Sequence, residues 1–230
     1  MLNVLAQSDG SFWMQPQAST MAAEVDWVFY LVYWISVFFF VLITATLVVF
    51  VIKYRQRPGH VEQKSPRHST HLELTWTIIP TLIVLVIFFY GFRTFLHAST
   101  SPQGAYEIVA EGRMWSWSFR YPNGYIDGNL HVPRGRPVRL VLKSNDVTHS
   151  LFIPAFRAKM DVVPGRYNKM WFEATQVGEY DLYCAEYCRQ KHSEMIAKVF
   201  VHEEAEFIGW LNEAPAGAGN SAPPESERRG

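Results

Sequence analysis

The chain has 230 residues, 49% hydrophobic and 18% charged, with 21 basic side chains balancing 21 acidic ones. A formal net charge of zero gives no global attraction for nucleic acid, and the length fits one modest domain plus something else. The average hides a concentration: Trp27 to Ile52 carries no charged residue, and neither does Leu74 to Phe92.

Residues 1–23 read as a polar, Gln- and Pro-containing extracytoplasmic leader. The first apolar run follows it. That run starts late, has no Lys or Arg before it, and exceeds the ~7–15 apolar residues of a signal sequence. Both runs exceed the ~18 apolar residues that mark a membrane span. The reading is a transmembrane hairpin over residues 24–98, with helices at about 27–52 and 74–97 in membrane lipid. Lys53, Arg55, Arg57, Lys64 and Arg67 lie between the helices against one acid, Glu62. The positive-inside rule puts that loop in the cytoplasm and both termini outside. Arg93 can then snorkel to the outer interface.

From about residue 104 the texture changes. Ile108–Ala110, Trp115–Arg120, Arg139–Lys143, Met170–Glu173, Tyr180–Tyr183 and Ala197–Val201 are short runs rich in β-branched, aliphatic and aromatic residues. Turn signals such as Pro122-Asn-Gly124, Asp127-Gly128 and Pro164-Gly165 separate them. The spacing predicts an all-β sandwich or barrel over 104–212. Phe207 to Leu211 reads as a short amphipathic closing turn. Residues 213–230, rich in Ala, Gly, Pro and Ser, are expected to be disordered.

The chain's two cysteines lie in Cys184-Ala-Glu-Tyr-Cys188-Arg-Gln-Lys-His192-Ser-Glu-Met195. Thiolate, imidazole and thioether are the donors that soft copper selects. A disulfide is the ordinary alternative in an oxidising compartment. Closing so short a loop gains little chain entropy, and a bridge leaves His192 and Met195 without a role. His149, in Thr148-His-Ser-Leu-Phe-Ile-Pro154 just after a strand-like run, offers a remote imidazole. One His from a strand end and a Cys/His/Met loop is the layout of a cupredoxin site.

These motifs, with Gly112-Arg-Met-Trp-Ser-Trp-Ser-Phe-Arg-Tyr121 and Met160-Asp-Val-Val-Pro-Gly-Arg166, resemble subunit II of the haem–copper oxidases, the cytochrome c oxidase branch, in its bacterial form. The resemblance covers about residues 20–212. It implies a two-helix hairpin followed by a cupredoxin-like sandwich that carries a binuclear copper centre, CuA. Both coppers would take Cys184 and Cys188; one would add His149 and Met195, the other His192 and the carbonyl of Glu186. It further implies Mg²⁺ at the Glu186 side chain, electron entry from cytochrome c at Trp115, and a proton-pathway entrance at Glu73. Haem and O₂ reduction belong to subunit I, with subunit III as a further partner, so the chain alone is inert towards O₂ while the complex pumps protons. The location implied is the bacterial plasma membrane, with the copper domain outside.

From the residues alone, Glu73 reads as a helix-start carboxylate favoured by the macrodipole, and Trp115 and Trp117 as a core pair sharing one strand face. His68 and His71 read as plain loop residues. Arg189 departs from the family, which often has Gly after the second Cys. Two other readings are weighed. Quinol oxidase subunits lack the copper ligands that this chain has. A membrane-anchored copper carrier explains the ligands but leaves Glu73, Glu186 and the Trp-x-Trp pattern without a task. Acids and bases balance over 104–212, so bulk charge does not identify the donor.

Overall fold

A computed structural model of the chain describes residues 10, 13–59 and 68–213. The predicted cytoplasmic charges Glu62, Lys64 and Arg67, and the predicted tail from residue 214, lie outside the described residues. The chain divides into a helical unit, Glu24–Phe95, and a second unit made of Leu96–Gly230 with Met1–Ala23.

The helical unit holds α1 (Ala22–Tyr54) and α2 (Thr70–Ser99), both longer than the uncharged runs. The extension is physical: backbone hydrogen bonding continues past the first charged residue. Glu24 and Glu73 lie in the first turns, and Lys53 and His97 in the last turns, signs that suit the helix macrodipole. At 33 and 30 residues and ~1.5 Å per residue, each exceeds the ~30 Å hydrocarbon layer. Their apolar side chains point outward rather than into a protein core. The polar groups along them are internally satisfied. Ser36, Thr46, Thr75, Thr77 and Thr81 each donate to the carbonyl four residues back, at 2.6–2.8 Å, as a hydrocarbon solvent demands.

The second unit is a sandwich of two five-stranded sheets. Its strands are β1 (Tyr106–Arg113), β2 (Ser116–Arg120), β3 (Ile126–Asp127), β4 (Leu130–Pro133), β5 (Pro137–Ser144), β6 (His149–Ile153), β7 (Ala158–Val162), β8 (Asn168–Glu173), β9 (Gly178–Cys184) and β10 (Ile196–His202). One sheet has the order β3-β2-β1-β5-β8, the other β4-β10-β9-β6-β7. β1–β5 and β4–β10 run parallel, and the remaining neighbours antiparallel. Strict alternation sets the core: Val138, Leu140 and Leu142 on β5 face Val199 and Val201 of β10 inward with Phe119, Phe156 and Phe172.

Four strands escape the sequence pattern for identifiable reasons. β6 is buried at four of its five positions (His149, Ser150, Leu151 and Ile153) and shows no alternation. β7 is a sheet edge bearing Lys159 and Asp161. β3 and β4 are only 2 and 4 residues long. The predicted closing turn is a 10-residue helix, α3 (Glu204–Glu213), which buries Phe207.

Part of the polar leader is structural. Ala18 is fully buried; its N–H donates to Ala155 O (3.0 Å), and its carbonyl accepts from Thr175 N–H (2.9 Å). Thr20 N–H donates to Glu173 O (3.1 Å), and Ser19 Oγ to Phe156 O (2.8 Å). Small residues allow this segment to lie close against the sandwich; a larger side chain at 18 has no room there.

Candidate metal centre

The strand ends bring distant residues together at one end of the sandwich. β9 finishes at Cys184 and β10 begins at Ile196, so Ala185–Met195 forms the loop between two paired strands. The loop is closed at its base by Cys184 N–H to Met195 O (3.2 Å) and Ala185 N–H to Ser150 O (2.8 Å). The second bond ties it to β6, whose first residue is His149. Leu151 pairs with Cys184 in register, which sets His149 over the cysteines across 35 residues of sequence.

Five soft donors converge. Cys184 Sγ lies 3.8 Å from Cys188 Sγ and 3.8 Å from His149 Nδ1. Cys188 Sγ lies 3.6 Å from His192 Nδ1 and 3.8 Å from Met195 Sδ. The Glu186 carbonyl accepts from the Cys184 thiol at 3.3 Å. Both thiols are free, and His149, Cys184 and Cys188 keep their donor atoms within 4.8 Å of one another. Bonds of ~2.3 Å to sulfur and ~2.0 Å to imidazole let one ion reach donors up to ~4.3 Å apart. The four separations of 3.6–3.8 Å meet that test, and two sulfurs at the centre of the set suit a shared pair of ions. The chemistry of thiolate, imidazole and thioether fits copper.

The cysteines are prepared for metal. Burial opposes ionisation of Cys184, but hydrogen bonds from His149, the Ser150 backbone and the loop outweigh it, so its thiol ionises well below the ordinary range. Burial, and then the Cys184 thiolate, push the Cys188 thiol up. The pair therefore loses one proton readily and holds the other until a cation displaces it.

Asp146 is the functional residue that the motifs did not disclose. His149 is fully buried, and its Nε2–H donates to Asp146 Oδ1 at 2.8 Å. That bond leaves Nδ1 free to face the cysteines, the arrangement in which a carboxylate fixes the tautomer of a ligating imidazole. Asp146 is itself held by N–H groups of Met114 and Val147, each at 2.6 Å. Burial works against its charge, but the Met114 N–H, His149 and the Val147 N–H together lower its pKa. Desolvation alone would lower the pKa of His149; Cys184 and Asp146 reverse this and raise it. The available signal was the turn cluster Ser144-Asn-Asp immediately before a candidate ligand.

The two tryptophans divide. Trp117 is buried, with its ring 6.0 Å from that of His149. Trp115 lies in the turn before β2, not on the strand, and is half-buried. Its indole N–H donates to the Cys188 carbonyl at 3.0 Å. The expectation of a core pair on one face is thus corrected: the turn rotates Trp115 out of register. Glu186 is exposed. Glu73 is in the first turn of α2 and pairs with His68, Nδ1 to Oε1 2.6 Å, so His68 is more than a plain loop residue.

The second unit is thus a cupredoxin-like domain with a His/Cys/Cys cluster consistent with a copper site, on a chain with two apolar helices long enough to span a membrane. The family profile described as cytochrome C oxidase subunit II, transmembrane domain, matches residues 7–94, and that of the periplasmic domain matches residues 124–201. The chain is 29% identical to cytochrome c oxidase subunit 2 of Thermostichus vulcanus over 90% of its length and 82% of that protein. It is 28% identical to the alternative cytochrome c oxidase subunit 2 of Bradyrhizobium diazoefficiens, covering 95% and 90%. The crystal structure of the periplasmic domain of cytochrome oxidase subunit II of Bradyrhizobium japonicum matches at 32% identity and TM-score 0.48, over 50% of this chain and 96% of that one. The chain belongs to the cytochrome c oxidase subunit II family, a component of haem–copper oxidases, and its helices fit an inner-membrane protein.

Proposed function

We propose that the chain is the electron-entry subunit of a proton-pumping terminal oxidase, taking electrons from cytochrome c or a similar donor. They pass to haem in subunit I, where O₂ is reduced to water. The observation that carries this reading is the convergence of Cys184, Cys188, His149, His192 and Met195 on one small volume. These side chains, with the carbonyl of Glu186, would hold a binuclear copper centre that accepts and releases one electron when bound.

The chain's own residues contribute three things. The sandwich holds the donors rigidly, because both ends of the ligand loop are pinned to paired strands and His149 to Asp146. Rigid ligands lower the rearrangement that accompanies a change of charge. Burial of Cys188 and Met195 keeps water from the thiolates. Trp115 joins the surface to a ligand through its bond to the Cys188 carbonyl, which supports it as the entry residue.

In the same reading the exposed Glu186 carboxylate binds Mg²⁺ at the boundary with subunit I, and Glu73 marks a proton-pathway entrance. Residues 24–98 form the hairpin, 104–212 the copper domain outside the cell membrane, and subunit III a further neighbour. The test is electron paramagnetic resonance of the purified complex. A mixed-valence, multi-line copper signal lost in Cys188→Ser supports the reading; a single-copper signal, or a Cys184–Cys188 disulfide without metal, overturns it.

A further inference from the structure

The segment Met160-Asp-Val-Val-Pro-Gly-Arg166 has no task in the centre described above, yet it runs beside a candidate ligand. β7 pairs antiparallel with β6, and the register sets Val162 opposite His149 and Asp161 opposite Ser150. Just past β7, Pro164 forms a bridge with Ser144. Ser144 Oγ lies 3.3 Å from Asp146 Oδ1, the carboxylate oxygen that holds the His149 ring. The segment therefore borders both the strand that carries the imidazole and the turn that orients it.

Ser150 is where these contacts meet. Side chains alternate along a strand, so Ser150 points away from the face that carries His149 and Leu151. It is nonetheless fully buried, and a buried hydroxyl left without a partner is costly. Its Oγ–H donates to Asp161 Oδ1 at 2.8 Å. The same oxygen accepts from Lys159 at 3.1 Å, and Asn168 donates to the Asp161 carbonyl at 2.6 Å, so side chain and backbone of Asp161 are both held. A hydrogen bond to an ionised carboxylate is of the stronger kind. The carbonyl of Ser150 accepts the Ala185 N–H at 2.8 Å, at the base of the ligand loop. One residue thus joins the edge strand through its hydroxyl, the loop through its carbonyl, and His149 through a peptide bond.

We propose that Asp161, acting through Ser150, is a positioning residue that fixes His149 relative to the loop bearing the other donors. This rests on the reading that the cluster binds copper, and it goes further by giving the edge strand a part in the centre. Asp146 sets the orientation of the His149 ring; Asp161 sets the strand on which that ring stands. Removing the clamp widens the spread of separations between His149 and Cys184, at a site whose donors must stay within ~4.3 Å to share an ion.

The experiment compares the full chain, purified in detergent, with Ser150→Ala, Asp161→Ala, Asp161→Asn and the Ser150→Ala/Asp161→Ala double variant. Hydrogen exchange across residues 184–186, measured before copper is added, should speed up about 3- to 10-fold in both alanine variants, the scale of one hydrogen bond. Copper affinity against a competing chelator should fall about 3- to 10-fold, less than the ~10–100-fold for a group bonded directly to a ligand, and the copper hyperfine pattern should change. Asp161→Asn keeps an oxygen for the Ser150 hydroxyl and should match the native chain in all three measurements. The double variant should lose no more than either single one, because both remove the same bond. Native exchange or native copper affinity in both alanine variants overturns the proposal. So does an Asp161→Asn as damaging as Asp161→Ala, or losses that add in the double variant. If the native chain itself takes up no copper, the functional reading fails, and exchange at Ala185 still decides whether the clamp holds the loop.

Discussion

His131 offers a measurable consequence of how α3 closes the sandwich. Its ring lies parallel to Trp210 of α3, centroids 4.1 Å apart, and near Phe200 at 4.8 Å. Nδ1 shares a hydrogen bond with His202 Nε2 at 2.9 Å, and His202 Nδ1 lies 3.3 Å from Glu206. Asp127 is 3.9 Å from Nε2, and the Tyr121 hydroxyl binds the His131 backbone. Burial lowers the His131 pKa from 6.5 to about 4, against the pull of Asp127 and with the help of His202. A protein in which α3 has lifted away takes up a proton near pH 6.5, whereas the closed form refuses it until about pH 4. Closure is therefore fully stable above pH 6.5, weakens as pH falls towards 4, and levels off below. At ~1.4 kcal/mol per unit the loss is no more than about 3.5 kcal/mol, and residual access of water to the ring brings it to about 2–3 kcal/mol.

The window is clean. The lowered carboxylates Asp146, Asp161 and Asp181 titrate below it, and His149, whose pKa is raised, contributes a constant amount below 6.5. Hydrogen exchange of residues 204–213 in the detergent-solubilised chain, corrected for intrinsic rates, should lose about 10- to 40-fold of its protection between pH 6.5 and 4.5. His131→Phe keeps an aromatic ring against Trp210 and removes the titration, so its protection should be flat over that window. An equal loss in His131→Phe, or no loss in the native chain, would refute the reasoning.

Two further outcomes concern the metal centre. A Cβ at Gly112 would stand 3.1 Å from His149 Cδ2 and 3.2 Å from Trp117 Cζ3, two rings with no room to move. Gly112→Ala should cost about 1–3 kcal/mol and disturb the copper hyperfine pattern; an unchanged melting temperature and spectrum would sink the idea. Asp146→Asn keeps one oxygen for the Val147 N–H and His149 but sets an amide NH2 against the Met114 N–H that Oδ2 accepts, and it no longer fixes the His149 tautomer by charge. Copper affinity, measured against a competing chelator, should fall about 10- to 100-fold, and an affinity equal to the native chain would show that Asp146 serves packing alone.

Much of the centre could be read before any fold was known, because a metal site leaves its donor types in the chain. Cys184, Cys188, His192 and Met195 lie within one loop, and the structure brings their donor atoms together there. Asp146 and Gly112 were not legible. One acts through a hydrogen bond to a ring rather than to metal, and the other through the absence of an atom. Trp115 and Trp117 look equivalent at a spacing of two, yet a turn holds Trp115 half-buried against the Cys188 carbonyl and leaves Trp117 in the core. β6 was missed because a strand buried on both faces has no period-2 signature, and Ala18 because a buried strap of small residues reads as polar coil.

What the amino-acid order determined by itself was whatever depends on neighbours along the chain. Two uncharged apolar runs call for a solvent without water, and a Cys-x3-Cys-x3-His-x2-Met loop supplies the donor types of soft metal chemistry. What only the tertiary structure decided was whatever depends on register between distant strands. The pairing of Leu151 with Cys184 brings His149 to the cysteines, and the turn after β1 sets Trp115 against Cys188. The reason is that strand pairing is settled by the summed burial of both sheets, a property of the whole core that no local stretch encodes.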